Sequence, residues 1–267
     1  MEEENINDTI NIATGLAVSS PIYQDLLQPA TIEVGKSLEI VAKTIRVALA
    51  PISVLIWGYE KIGVFLENKI SEKLKNTPEE NIITPDPVVV GPSIEALRYS
   101  ANNEIIRELY ANLIANAMDK ETVKKAHPCF VEIIKNMTSD EGLILKIFET
   151  VENMPLIDII RKKNTTREHF VIAYNCSLIG IKADCKYIDL SQKYIDNLCR
   201  LGILQIPVGK YITNKNHYDE LINTNTYKNI KEEYENKEWK IVPVKKYIEL
   251  TELGVMFLNA CVIDKSK

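Results

Sequence analysis

"RELYANLIANAMDKETVKKAHPCFVEIIKNMTSDEG", Arg107 to Gly142, reads as a series of capped helices. Ala111 and Ala115 lie four apart, on one helical face, where small side chains let another helix approach closely. Asn112 and Asn116 form a parallel polar row. Asparagine is a poor helix former, so two of them predict partners: buried backbone groups, ordered water or a bound protein. His127-Pro128 reads as a helix entry, with proline at the first helical position. Phe130, Val131, Ile133, Ile134 and Met137 are the apolar residues of the helix after it. Thr138 and Glu141 have the spacing of a capping box, in which each side chain satisfies a first-turn amide. The next helix should bury Leu143, Ile144, Ile147, Phe148 and Val151.

Upstream, residues 1–20 read as a weakly ordered leader. From Tyr23 to Lys75 apolar residues recur in steps of three and four, including Ile62, Phe65, Leu66, Ile70 and Leu74. Pro51 should split this run, because it removes a backbone donor and clashes with the preceding turn. "NTPEENIITPDPVVVGP" carries prolines at 78, 85, 87 and 92 and reads as an extended connector near residues 76–92. A new helix is expected from Ser93 and another from about Asn103 to Asp119.

Downstream the pattern changes. "MPLIDIIRK" and "HFVIAYNCSLIGI" are rich in β-branched and aromatic residues and read as strands. "DLSQKYIDNLCRLGIL" reads as a helix stopped at Gly202. "GILQIPV" and "WKIVPVKKYIELT" read as strands on either side of a long polar insert near residues 209–238. "ELGVMFLNACVI" closes the chain as a helix capped by Thr251. The order helix, strand, helix, strand, loop, strand, helix is that of a winged helix. The expected fold is mainly helical, α+β overall. A helical region (residues 21–137) would pack on a winged-helix-like unit (residues 138–267) with a small antiparallel sheet.

Composition narrows the chemistry. The 267 residues are 46% hydrophobic and carry a net charge of -5. That balance does not point to nucleic acid as the default partner. Only 10 glycines argue against phosphate-cradling loops. Five widely spaced cysteines without a C-x-x-C read as reduced thiols in the cytoplasm. His127 and Cys129 stand two apart, where helical side chains do not face each other, so His127 reads as a helix-capping or surface residue and Cys129 as a small core residue rather than as a nucleophile pair. The three histidines are scattered, without the short ligand spacing of a zinc site. Asp140 and Glu141 suit the positive end of a helix dipole. No catalytic residue, cofactor or metal is expected. The charge-free run Val47 to Tyr59 is shorter than the roughly 20 residues a spanning helix needs and reads as core. Membrane association through Ala48 to Phe65 is the alternative.

The candidate recognition helix, Asp189 to Leu201, sets Lys193 and Arg200 against Asp189 and Asp196. A DNA reader shows a positive stripe, so this helix reads as protein-binding or structural rather than as a DNA reader. Asn112, Asn116, Lys193 and Arg200 are the candidate interaction surface.

"LLQPATIEVGKSL", "ALAPISVLIWGYEKI", "GPSIEALRYSANNEIIRELYANLIANAMD" and "HPCFVEIIKNMTSDEG" together resemble the bacterial abortive infection alpha family, over roughly Tyr23 to Leu258. The residues that carry the resemblance are Pro29, Gly35, Pro51, Trp57 to Glu60, Leu109 to Asp119, His127, Pro128 and Ser139 to Glu141. The resemblance implies a role in bacterial defence against phage, in which an infected cell dies or stops growing, and implies no chemistry. The expectation is a non-enzymatic defence protein that binds a phage or host protein. A DNA-binding regulator and a membrane-acting effector are the alternatives.

Overall fold

A computed structural model describes residues 59–100 and 103–266. The expected leader, the helices before Tyr59, the break at Pro51 and most of the charge-free run lie outside the described residues. The chain forms two compact units: residues 59–136 together with 264–266, and Met137–Ile263.

The first unit is built from α1 (Tyr59–Lys73), α2 (Pro87–Leu97), α3 (Glu104–Ala117) and α4 (Cys129–Lys135). Helix α3 is its axis and touches the other three. Ile106 and every residue from Leu109 to Ala117 are buried, so the helix is wrapped on all sides rather than along one stripe. Ala111 and Ala115, both fully buried, supply the close approach their spacing predicts. Asn103 caps α3 by accepting the Ile106 amide at 3.2 Å.

Helix α2 corrects an expectation. Residues 87–92 are helical rather than part of an extended connector, and the helix does not wait for Ser93. Asp86 accepts the Val88 amide at 2.9 Å and Pro87 occupies the first turn. There its missing donor would have had no partner anyway and its fixed φ suits the helix. Pro92 removes one interior bond, which the burial of Val89, Val90, Ile94 and Leu97 offsets.

The second unit begins with α5 (Ser139–Ile147), whose capping box is complete: Glu141 accepts the Thr138 amide at 2.6 Å and Thr138 accepts the Glu141 amide at 3.3 Å. Of the apolar residues expected to be buried, Ile144 and Phe148 are, as is Leu145, whereas Leu143, Ile147 and Val151 are half-buried. Then follow β1 (Asn153–Lys163), β2 (His169–Cys176), α6 (Ile179–Lys182), α7 (Ser191–Arg200), β3 (Leu204–Gln205), α8 (Asp219–Ile222), α9 (Asn225–Tyr234), β4 (Trp239–Leu250) and α10 (Glu252–Phe257). A π-helical turn, Leu258–Val262, continues α10. The fold is α+β, with one antiparallel sheet in the order β2-β1-β4-β3.

Long strands β1 and β4 pair along their whole length, from Asn153↔Glu249 to Lys163↔Trp239. Three expectations shift here. "SLIGI" leaves the strand and turns into α6. Strand β3 pairs only at Leu204 and Gln205, since Pro207 has no amide to donate and Gly209 turns the chain with a positive φ. Residues 209–238 are not a loop but carry α8 and α9. Their Tyr218, Leu221 and Tyr227 pack with Ile157, Ile159 and Ile241 in a second core on one face of the sheet. Tyr218 is fully buried; its hydroxyl accepts the Ile212 amide at 2.9 Å and donates to the Lys246 carbonyl at 2.8 Å.

Thr251 caps α10 by accepting the Gly254 amide at 2.8 Å. Gly254 lies so near the Ile203 carbonyl that a Cβ would collide with it. The corner between β4 and α10 therefore requires glycine.

Candidate functional site

The His-Pro-Cys segment resolves into a helix entry. The His127 Nδ1 accepts the Cys129 backbone amide at 3.1 Å, so the imidazole caps α4 and leaves the thiol aside. Burial pushes the Cys129 and Cys176 thiols up, and Cys185 and Cys199 up to about 11. Thiols held protonated at neutral pH are poor nucleophiles. All five cysteines are free. Among the described residues no group of three or more His, Cys, Asp or Glu side chains is placed to hold a metal ion.

Asp140 and Glu141, 3% and 1% exposed, form a clamp. Asp140 accepts the backbone amides of Lys186 and Tyr187, both at 3.0 Å, and the Tyr194 hydroxyl at 2.8 Å. Burial alone would raise its pKa. The bonds from Tyr187, Lys186 and Tyr194 outweigh burial and hold the carboxyl below the usual range. Burial, then the bond to Asp140, pushes the Tyr194 phenol up. Glu141 accepts the Asn197 amide at 2.6 Å. Both carboxylates thus fasten the start of α5 to α7 and the turn before it. Their hydrogen-bonding capacity is met within the fold.

Of the four residues expected on an interaction surface, the fold buries two. Asn112 and Asn116 are each 3% exposed. The Asn116 side chain donates to the Asn112 carbonyl at 3.0 Å, and the Asn116 carbonyl accepts the Thr122 hydroxyl at 3.1 Å. Lys193 and Arg200 are exposed on α7. The Arg200 guanidinium is turned onto Asn197 at 2.7 and 3.0 Å. Asp196, between them on the helix, accepts the Asn175 amide at 3.4 Å. The exposed side of α7 therefore mixes signs.

Positive charge collects elsewhere, at the far end of β1, β2 and β4. "RKKNTTREHF" (Arg161 to Phe170) and "KEWK" (Lys237 to Lys240) meet there. Arg161 pairs with Phe170 and Ile241, Lys162 with His169 and Lys240, and Lys163 with Trp239. The Asn164 side chain ties the β1–β2 connection to the Lys237 carbonyl at 2.9 Å. Six cations (Arg161, Lys162, Lys163, Arg167, Lys237 and Lys240) thus face two carboxylates, Glu168 and Glu238, in a chain whose net charge is negative. Lys163 bonds Glu168 at 3.3 Å. No salt bridge engages the other five cations among the described residues.

Aromatic rings lie among these cations. The Arg161 guanidinium sits 5.0 Å and the Lys163 ammonium 5.7 Å from the centre of the Trp239 ring. Phe170 leans on Trp239 with centroids 5.5 Å apart at 45° and keeps 60% of its surface exposed. Asn236 orders the entry to β4 by accepting the Trp239 amide at 3.1 Å. An open groove of about 590 Å³, lined by Lys228, Lys231, Glu232, Glu235, Asn236 and Lys237, adjoins the tip through Lys237. Sequence reasoning missed this site because it sought charge on a helix. The signal was present in "RKK" and "KEWK", but only strand register joins them.

A family model described as abortive infection alpha matches residues 59–261. The chain belongs to the abortive infection alpha family. The match runs from α1 to the π-helical turn and so covers residues of both units. No curated protein and no solved structure matches the chain. No helix among the described residues is long and apolar enough to cross a membrane.

Proposed function

We propose that this abortive infection alpha protein acts in the cytoplasm by binding a macromolecule of phage or host, rather than by catalysis, and that the strand tip is the binding surface. The observation that carries the reading is the placement of Lys162 directly opposite Lys240, with His169 on its other side. Like charges facing each other across strands destabilise a sheet. Among the described residues no salt bridge relieves this pair. A local cost that nothing nearby offsets fits a surface kept for binding. The exposed Phe170 stands at the same end of the sheet, on its other face.

The test is a plaque assay on a broad phage panel with three strains: no protein, wild type, and the double variant Lys162→Glu with Lys240→Glu. Wild type should reduce plating, and the double variant, expressed to the same level, should lose most of that protection. Equal plating with and without wild type would overturn the defence role. Full protection by the double variant would overturn the strand tip as its surface.

A further inference from the structure

We infer that the strand tip binds single-stranded nucleic acid, gripping the phosphates with its free cations and stacking a base on Phe170. This rests on the reading of the tip as the binding surface and adds the class of partner.

Two demands of a flexible polyanion are met together. It needs cations along a path rather than at one point: Arg161 and Lys163 share Phe170's face of the sheet, Arg167 and Lys237 flank the tip in the β1–β2 connection and before β4, and Lys162 and Lys240 carry the charge round to the opposite face. The groove beyond Lys237 mixes signs, with Lys231 4.0 Å from Glu235, so the path ends at Lys237. It also needs a flat apolar ring open to a base, and Phe170, on the edge strand, presents one. Base stacking on an exposed aromatic beside a cationic track is how single strands are held without sequence readout. Arg161 and Lys163, packed on Trp239, keep that ring in place and bring positive charge to its side of the sheet.

Two other partners fit less well. Duplex DNA would call on a helix for its major groove, yet α7 carries Asp196 beside Lys193, Asp189 stands in the turn just before it, and its Arg200 is held by Asn197. An anionic membrane would call for apolar residues at the apex of the tip. The connection there, residues 164–168, is Asn-Thr-Thr-Arg-Glu, and Trp239 is half-buried on the strand face.

The experiment is fluorescence anisotropy with the full chain and labelled single strands of uridine or thymidine of about 12 nucleotides, within the site sizes typical of such surfaces. A duplex of the same length and phosphatidylserine vesicles run in parallel. Single strands should bind more tightly than either. Phe170→Ala should weaken binding by about 5- to 160-fold, the range that follows from losing one stacked base. Lys162→Glu with Lys240→Glu should lower the slope of log affinity against log salt by about 1.4, for two lost phosphate contacts. Tighter binding of duplex or vesicles, or Phe170→Ala binding as wild type does, would overturn the inference. If no oligonucleotide binds while the lysine variant still abolishes plaque protection, the nucleic-acid partner falls and the tip remains the binding surface. If the lysine variant protects fully, the tip itself falls.

Discussion

The start of α5 and the far end of the β1–β2–β4 sheet both concentrate charge within one compact unit, and they use it in opposite ways. At α5 two carboxylates are buried to 3% and 1%, and five donors converge on them: four from Lys186, Tyr187, Tyr194 and Asn197, and the Thr138 amide. At the tip, six cations stand near the surface, and among the described residues a salt bridge engages only Lys163. Charge that is desolvated and fully bonded fixes geometry, and its removal leaves buried donors without acceptors. Charge that stays solvated adds little to stability and remains available to a partner. Ser139 to Glu141 therefore serve folding, whereas the charge at the strand tip is left open to a partner.

The largest effect should come from Asp140→Ala, which strands two amides and a phenol. A loss of about 3–4 kcal/mol in urea unfolding is expected. A change below half of that would mean the clamp is not what fastens α5 to α7. Gly254→Ala should follow, at about 1–3 kcal/mol, because its methyl group meets the Ile203 carbonyl rather than a movable side chain. Thr138→Ala removes one cap and should lower stability by about 1 kcal/mol.

Acid sharpens the same contrast. The carboxyls of Asp140, Glu108, Asp119 and Asp264 all have folded pKa values below their ordinary ones. For each, burial acts upward and is outweighed by hydrogen bonds: from Lys69 and Lys73 at Glu108, from Lys265 and the Glu121 amide at Asp119, and from Ser266 at Asp264. Depressed carboxyls contribute stability that is complete above about pH 4 to 4.5 and is lost as pH falls through the folded values. Unfolding midpoints should therefore drop between pH 5 and pH 3, and Asp140→Asn should flatten part of that slope. The smallest effect on stability belongs to Lys162→Glu with Lys240→Glu, within about 0.5 kcal/mol of wild type by urea unfolding. A large loss there would show that the tip, like the clamp, serves the fold.

What the sequence reveals follows the range of the interactions. The capping box at Thr138 and Glu141 and the cap at Thr251 are local patterns, and the structure has both. Strand β4 is legible from its β-branched and aromatic run. Helix α2 is hidden by four prolines that break helices in other settings, although Asp86-Pro87 is a start signal when the cap and the first turn are considered together. The clamp needs partners 46, 47 and 54 residues from Asp140, which no spacing rule contains. The tip needs the register of three strands. The burial of Asn112 and Asn116 depends on helices packing around α3 from several sides.

The chain leaves its first unit at Asn136 and returns to it at Asp264. Lys73, 3% exposed, reaches Glu108 at 3.0 Å and Asp264 at 3.5 Å. Asp119 meets Lys265 at 2.7 Å. Time on the ribosome separates these contacts. Asp264 lies 191 residues after Lys73. At about 5–20 residues per second it is translated roughly 10–40 s later. Through that interval Lys73 has Glu108 for company and Asp119 has no Lys265. Residues 137–263 are contiguous and can fold as soon as they emerge. The helical unit, begun first, is finished last.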